Sequence, residues 1–156
     1  MTYYSRKSAR IPNYDYTSCN YYFVTICTHN RKCIFGSVEK LNKSGEIAKN
    51  EIISLSEHYQ SVLIDHFVVM PNHIHMIIIL EEKGPNLNQI IAQYKSGVSR
   101  KIHTVFPIIS VWQRSYHDHI IRNQASYEKI WNYIENNPLK WREDCFYINT
   151  DSINQV

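Results

Sequence analysis

The chain has 156 residues, 44% apolar and 20% charged, which suits one domain able to bury a core without disulfides or structural metals. A formal charge of +3 does not by itself define a nucleic-acid binder, and four cysteines without a C-x-x-C pair argue against a zinc knuckle. No apolar run reaches the ~18 residues of a membrane span, and the polar, basic N-terminus has no signal-peptide core, so the expectation is a reduced, cytoplasmic protein with no membrane partner.

Residues 1–19 read as a basic arm. Arg6, Lys7 and Arg10 alternate with Tyr3, Tyr4, Tyr14 and Tyr16. That mixture of cations and rings grips phosphates and stacks unpaired bases, although a solvated terminus has the same look. Asn20 to Thr28 is rich in aromatic and β-branched residues and is predicted as the first strand. A loop fills 29–42. Ser44 is the expected cap of a helix over 44–60, with Ile47, Ile52, Leu55 and Tyr59 on one face. Val62 to Met70 is a second strand, Pro71-Asn72 a tight turn and His73 to Leu80 a third strand, the two strands forming a hairpin. A polar loop leads to a second helix over 86–103. A fourth strand is expected over 111–121. Asn123 then caps a helix over 124–137, which stops at Pro138. No pattern marks an element after Lys140.

This order, β-α-β-β-α-β and then one more helix, predicts an α+β, ferredoxin-like (RRM-like) antiparallel sheet with two helices on one face. The expected organisation is one domain over 1–156. It comprises the arm (1–19), the sheet and its helices (20–122), the last helix (123–138) and a tail (139–156).

Two segments carry chemistry. In Met70-Pro71-Asn72-His73-Ile74-His75 the two histidines are two residues apart on a strand, so both imidazoles point to one face. Such a pair can hold one divalent metal. A lone His-x-His is a weak signal, and one core histidine beside one exposed one would read the same way. In Tyr133-Ile134-Glu135-Asn136-Asn137-Pro138, Tyr133 and Asn137 share a helix face. A phenol can act as a nucleophile, and an amide oxygen one turn on can complete a metal site. Tyr127 competes for the first role, but its i+4 neighbour Trp131 cannot ligate. Alternatively, Ile130, Tyr133 and Ile134 form a core stripe, and Asn137 a C-cap.

Together these motifs resemble the single-tyrosine HUH transposases, and more narrowly the REP-associated tyrosine transposases. The stretches Tyr22 to Thr28, Tyr94-Lys95-Ser96 and Trp112 to Asn123 agree, and the likeness covers about residues 10–141. The resemblance implies a metal-dependent single-stranded DNA endonuclease and strand transferase acting at hairpins of repetitive palindromes through a 5′-phosphotyrosine. It implies His73, His75 and Asn137 as metal ligands, Mg²⁺ or Mn²⁺ as cofactor and Tyr133 as nucleophile. Single-stranded DNA with hairpin structure is the implied partner, engaged by a monomer or homodimer. Arg10, Lys95, Arg100, Lys101, Arg114 and Arg122 are the candidate DNA-binding cations, although a surface cation is more often only a solvating charge. Two other readings stand beside this one. The first is a catalytically silent hairpin-binding module of the same fold. The second is a metal-dependent hydrolase that uses water and keeps Tyr133 for structure.

Overall fold

In a computed structural model of the chain, residues 20–81, 83–107 and 110–149 are described, so the basic arm with Arg10 lies outside the described residues. β1 (Asn20–Cys27) alternates cleanly: Tyr22, Val24 and Ile26 face one side of the sheet, Phe23, Thr25 and Cys27 the other. β2 (Val62–Val69) and β3 (His73–Leu80) form the expected hairpin around Pro71-Asn72, with a bulge in β2 between Ile64 and His66. β4 (His117–Ile121) pairs with β1. The order across the sheet is β2-β3-β1-β4, all pairs antiparallel, which is the predicted ferredoxin-like arrangement. β3 is central and buried along nearly its whole length, so its apolar residues serve both faces.

α1 (Lys43–His58) and α2 (Leu87–His103) cover one face. Ala48, Ile52 and Leu55 of α1 and Ile90, Tyr94, Val98 and Ile102 of α2 pack on Val24, Ile26, Ile74, Met76 and Ile78. Asn86 and Gln89 form a reciprocal capping box that starts α2. α3 (Gln124–Asn136) lies on the opposite face, where Ile130 and Ile134 pack with Phe23, Ile77 and Ile121.

Two boundaries differ from expectation. α1 is capped by Asn42, whose side chain accepts from the Gly45 N–H, and not by Ser44. The predicted fourth strand begins too early. Val111 and Trp112 are buried, but Trp112 makes only an isolated bridge to Thr28, and its indole N–H donates to the Lys95 carbonyl. Trp112 packs on the middle of α2, against Tyr94 and the Lys95 carbonyl, instead of extending β4. The tail holds a short 3₁₀ turn, Trp141–Glu143, followed by residues that fold back under the sheet's second face.

Candidate functional site

His73 and His75 point to the same face, opposite α1 and α2, with ring centroids 4.5 Å apart. Their partners Cys27 and Thr25 on β1 fix that register. Both imidazoles are fully buried. Burial lowers the His73 pKa to about 4, although the nearby Asp144 carboxylate and Asn137 side chain pull it upward. Burial, and secondarily His73, also holds His75 well below its ordinary value. Both rings are therefore neutral near pH 7 and able to offer a lone pair.

The tautomer of His73 is set by Asn72. The Asn72 amide donates through Nδ2 to the carbonyls of Arg31 (3.1 Å) and Phe146 (2.7 Å), which leaves Oδ1 as an acceptor. His73 Nδ1 lies 2.8 Å from that oxygen and must donate to it. The lone pair is then on Nε2, which has no hydrogen-bond partner. His75 is oriented in the same manner by Thr25, whose hydroxyl sits 2.8 Å from Nδ1.

Asn137 closes α3 beside this pair and is buried. Its Nδ2 donates to Asp144 Oδ2 at 2.8 Å, and its Oδ1 is left unpartnered. Two buried orphan atoms, an imidazole nitrogen and an amide oxygen, thus meet at one place. That is the donor set a divalent cation fits. Asp144 Oδ2 lies 3.9 Å from His73 Nε2, and ligand atoms of His73, His75 and Asp144 all fall within 4.8 Å of one another. Tyr133, one turn before Asn137, packs its ring against His75 (5.2 Å) and edge-on to Phe23 (6.1 Å) and keeps partial exposure. Tyr127 is turned away, toward β2. Its hydroxyl donates to Asp65 at 2.5 Å, a bond that leads in pushing its pKa up to about 12.

The comparisons with known proteins identify the family. The profile of the family described as "Transposase IS200 like" matches residues 15–137. The chain belongs to the IS200-like transposase family. An uncharacterised protein of Haemophilus influenzae is 36% identical over 168 aligned positions, covering 92% of this chain and 93% of that one. Another protein of the same organism, named as a candidate REP-associated tyrosine transposase, is 26% identical over 138 positions and 81% of this chain. Among solved structures, a REP-associated tyrosine transposase bound to a REP hairpin superposes with a TM-score of 0.67. It shows 21% identity and covers 84% of this chain and 73% of that one. A candidate transposase from Deinococcus radiodurans gives a TM-score of 0.52 at 17% identity, covering 81% of this chain and 95% of that one.

The cations expected to bind DNA are scattered. Lys95 is half-buried, and its ammonium donates to the carbonyls of Gln113 (2.8 Å) and Ser115 (3.0 Å). Lys101 pairs with Glu51. Arg100 is exposed on α2, so all three belong to the helical layer on the far side of the sheet from the histidines. Arg114 and Arg122 are exposed at either end of β4. Several residues at the site were not read from the sequence. Asn72 looked like a turn residue only, and Asp144 and Phe146 fell in a tail without periodicity. Arg31 sat in a loop, yet it places its guanidinium 5.3 Å over the Phe146 ring. No helix among the described residues is long and apolar enough to cross a membrane.

Proposed function

We propose that this transposase-family chain is a metal-dependent, single-stranded DNA endonuclease and strand transferase that acts at DNA hairpins. His73, His75 and Asn137 would hold the cation, Mg²⁺ or Mn²⁺: imidazole tolerates the softer of these ions, and the amide oxygen suits both. When bound there, a divalent cation would supply Lewis-acid polarisation of the scissile phosphate and would offset the charge that builds in its transition state. Tyr133 supplies the nucleophile. Its phenol oxygen forms a bond to phosphorus as the bond to the 3′-oxygen breaks; the phenol gives up its proton, the departing 3′-oxygen takes one up, and the products are a 5′-phosphotyrosine and a free 3′-OH. Reversal by another 3′-OH joins strands with no external energy source. Thr25 and Asn72 hold the imidazoles, and the neutrality imposed by burial keeps their lone pairs free of protons. Arg10, Arg100, Lys101, Arg114 and Arg122 are proposed to track the backbone, with Lys95 fixing the segment that carries Arg114. The partner is single-stranded DNA with hairpin structure, and the relative of matching fold described as bound to a REP hairpin supports that class.

The observation that carries this reading is the edge contact of the partly exposed Tyr133 ring with His75, which puts a phenol beside the imidazole pair on one face. The experiment is incubation of the protein with a tailed hairpin oligonucleotide and Mn²⁺, followed by a denaturing gel. A covalent protein–DNA adduct is expected from the native chain and none from Tyr133→Phe. Cleavage that survives Tyr133→Phe would identify a water-using hydrolase. Tight hairpin binding with no cleavage across a hairpin panel would identify a silent binding module.

A further inference from the structure

We propose that Asp144 is a further ligand of the same cation, so that the bound ion fastens the C-terminal segment 141–147 to the sheet. The inference rests on the metal site proposed above and is independent of the tyrosine chemistry.

Asp144 is a buried carboxylate with no lysine or arginine salt bridge among the described residues; the Arg31 guanidinium stays one residue off, donating to the Cys145 carbonyl at 3.5 Å and lying 5.3 Å over the Phe146 ring. The Asp144 side chain is 1% exposed. It accepts from the Asn137 amide (2.8 Å) and from the Phe146 backbone N–H (2.8 Å), and the Cys145 thiol is the third neighbour; all are neutral. Its one ion-pair-distance neighbour among the described residues is the His73 imidazole, 3.9 Å away. Burying a carboxylate among neutral donors is unfavourable unless a cation completes the set. Asp144 Oδ2 lies 3.9 Å from the orphan His73 Nε2 and accepts from the same Asn137 amide whose Oδ1 is the other orphan. Two neutral imidazoles and an amide bring no charge to a divalent ion, and Asp144 brings the hard anionic oxygen that Mg²⁺ and Mn²⁺ favour. Opposite ligands of Mg²⁺ sit about 4.2 Å apart. The 4.8 Å spread of the cluster is therefore open by only a fraction of an ångström.

The segment bearing Asp144 touches the sheet at other points near the histidines. The Phe146 ring lies 4.6 Å from the His73 ring, its carbonyl accepts from Asn72, and Trp141 lies 5.9 Å from His73. An ion that bridges Asp144 to β3 adds a bond between tail and body. Ion affinity and docking of the segment are then reciprocally coupled.

The test measures Mn²⁺ binding to the full chain by titration calorimetry, for the native protein, Asp144→Ala, the isosteric Asp144→Asn, Asn137→Ala, the Asp144→Ala/Asn137→Ala pair and His73→Ala. Circular dichroism confirms folding in each. Removing the carboxylate is expected to weaken Mn²⁺ binding by about tenfold or more, and to do so in the Asn137→Ala background as well. Trypsin cleavage after Lys140 and Arg142, both exposed, is expected to slow on adding Mn²⁺ to the native chain but not to Asp144→Asn. Equal Mn²⁺ affinity in the native chain and both Asp144 variants, with His73→Ala inert, overturns the inference and leaves the metal site standing. A loss that vanishes in the Asn137→Ala background also overturns it, since Asp144 would then act only by orienting Asn137. No Mn²⁺ binding by the native chain removes the metal site itself.

Discussion

Asn72 shows how one residue can set the tautomer of a proposed metal ligand without being a ligand itself. Its two amide hydrogens go to the Arg31 and Phe146 carbonyls and its oxygen to His73 Nδ1, so rotating the amide would break all three bonds. Arg31 is held with a positive φ of 54°, a conformation that costs an ordinary side chain about 1 kcal/mol, and the Asn72 bond helps to retain it. Asn72→Ala is expected to weaken Mn²⁺ binding by roughly 10–100-fold, the usual cost of losing a residue that orients a ligand. Calorimetry beside the native chain measures it; an unchanged affinity would show that His73 needs no such partner. The histidines also fix a pH response. Both have folded pKa values below the free value of about 6.5, so the unfolded chain takes up protons first as pH falls. Stability of the ion-free protein is therefore fully present above pH 6.5 and declines as pH falls toward 4, with His73 alone accounting for roughly 2 kcal/mol at pH 5. Urea midpoints at pH 7, 6 and 5 in chelator should fall in that order, and a flat series would mean that the imidazoles are not buried and neutral. Strand alternation alone placed His73 and His75 on one face. It could not reveal Asn72's role, because that depends on carbonyls 41 and 74 residues away in the chain.

At the scale of elements, the legible parts are those with strong periodicity. The β2–β3 hairpin, α2 and α3 fall within a residue or two of expectation because apolar spacing and asparagine caps act locally. The misplaced α1 cap and the overlong fourth strand have different causes. Asn42 and Ser44 are rival local caps, and Asn42 takes the role while also donating to the Ile34 carbonyl, whereas Trp112 answers to α2 by donating to the Lys95 carbonyl. α3 matters most for the proposed chemistry, since it carries Tyr133, ends at Asn137 and rests on a small apolar patch of Phe23, Ile77 and Ile121. Ile134→Ala empties part of that patch and should cost about 2–4 kcal/mol in urea unfolding. It should slow adduct formation far more than it weakens hairpin binding, because the phenol loses its support while the cations on α2 and around β4 keep theirs. Parallel losses in both assays would place the hairpin contact on α3 itself.

Across the whole molecule the sheet acts as a partition. One face carries α1, α2 and the larger core; the other carries the histidines, α3 and the folded-back tail. Arg100 and the His73–His75 pair are thus separated by a layer of buried apolar side chains. A hairpin gripped by α2 would have to send its single strand around an edge of the sheet to reach Tyr133. β4 is such an edge, with Arg114 before it and Arg122 after it. This layout predicts that binding and chemistry separate by mutation. Arg100→Ala and Arg114→Ala should each weaken hairpin binding and lower the slope of log affinity against log salt by about 1, as expected for a lost phosphate contact. Neither should alter Mn²⁺ affinity. Lys95→Ala should behave differently, because that ammonium ties α2 to the Gln113 and Ser115 carbonyls; it should lower the melting temperature, and its effect on DNA binding should follow from displacement of Arg114. Fluorescence anisotropy of a labelled hairpin across a salt series reads all three variants. Should Arg100→Ala leave both affinity and salt slope untouched while Arg114→Ala changes them, the hairpin approaches from the β4 edge and the helical layer is only a scaffold.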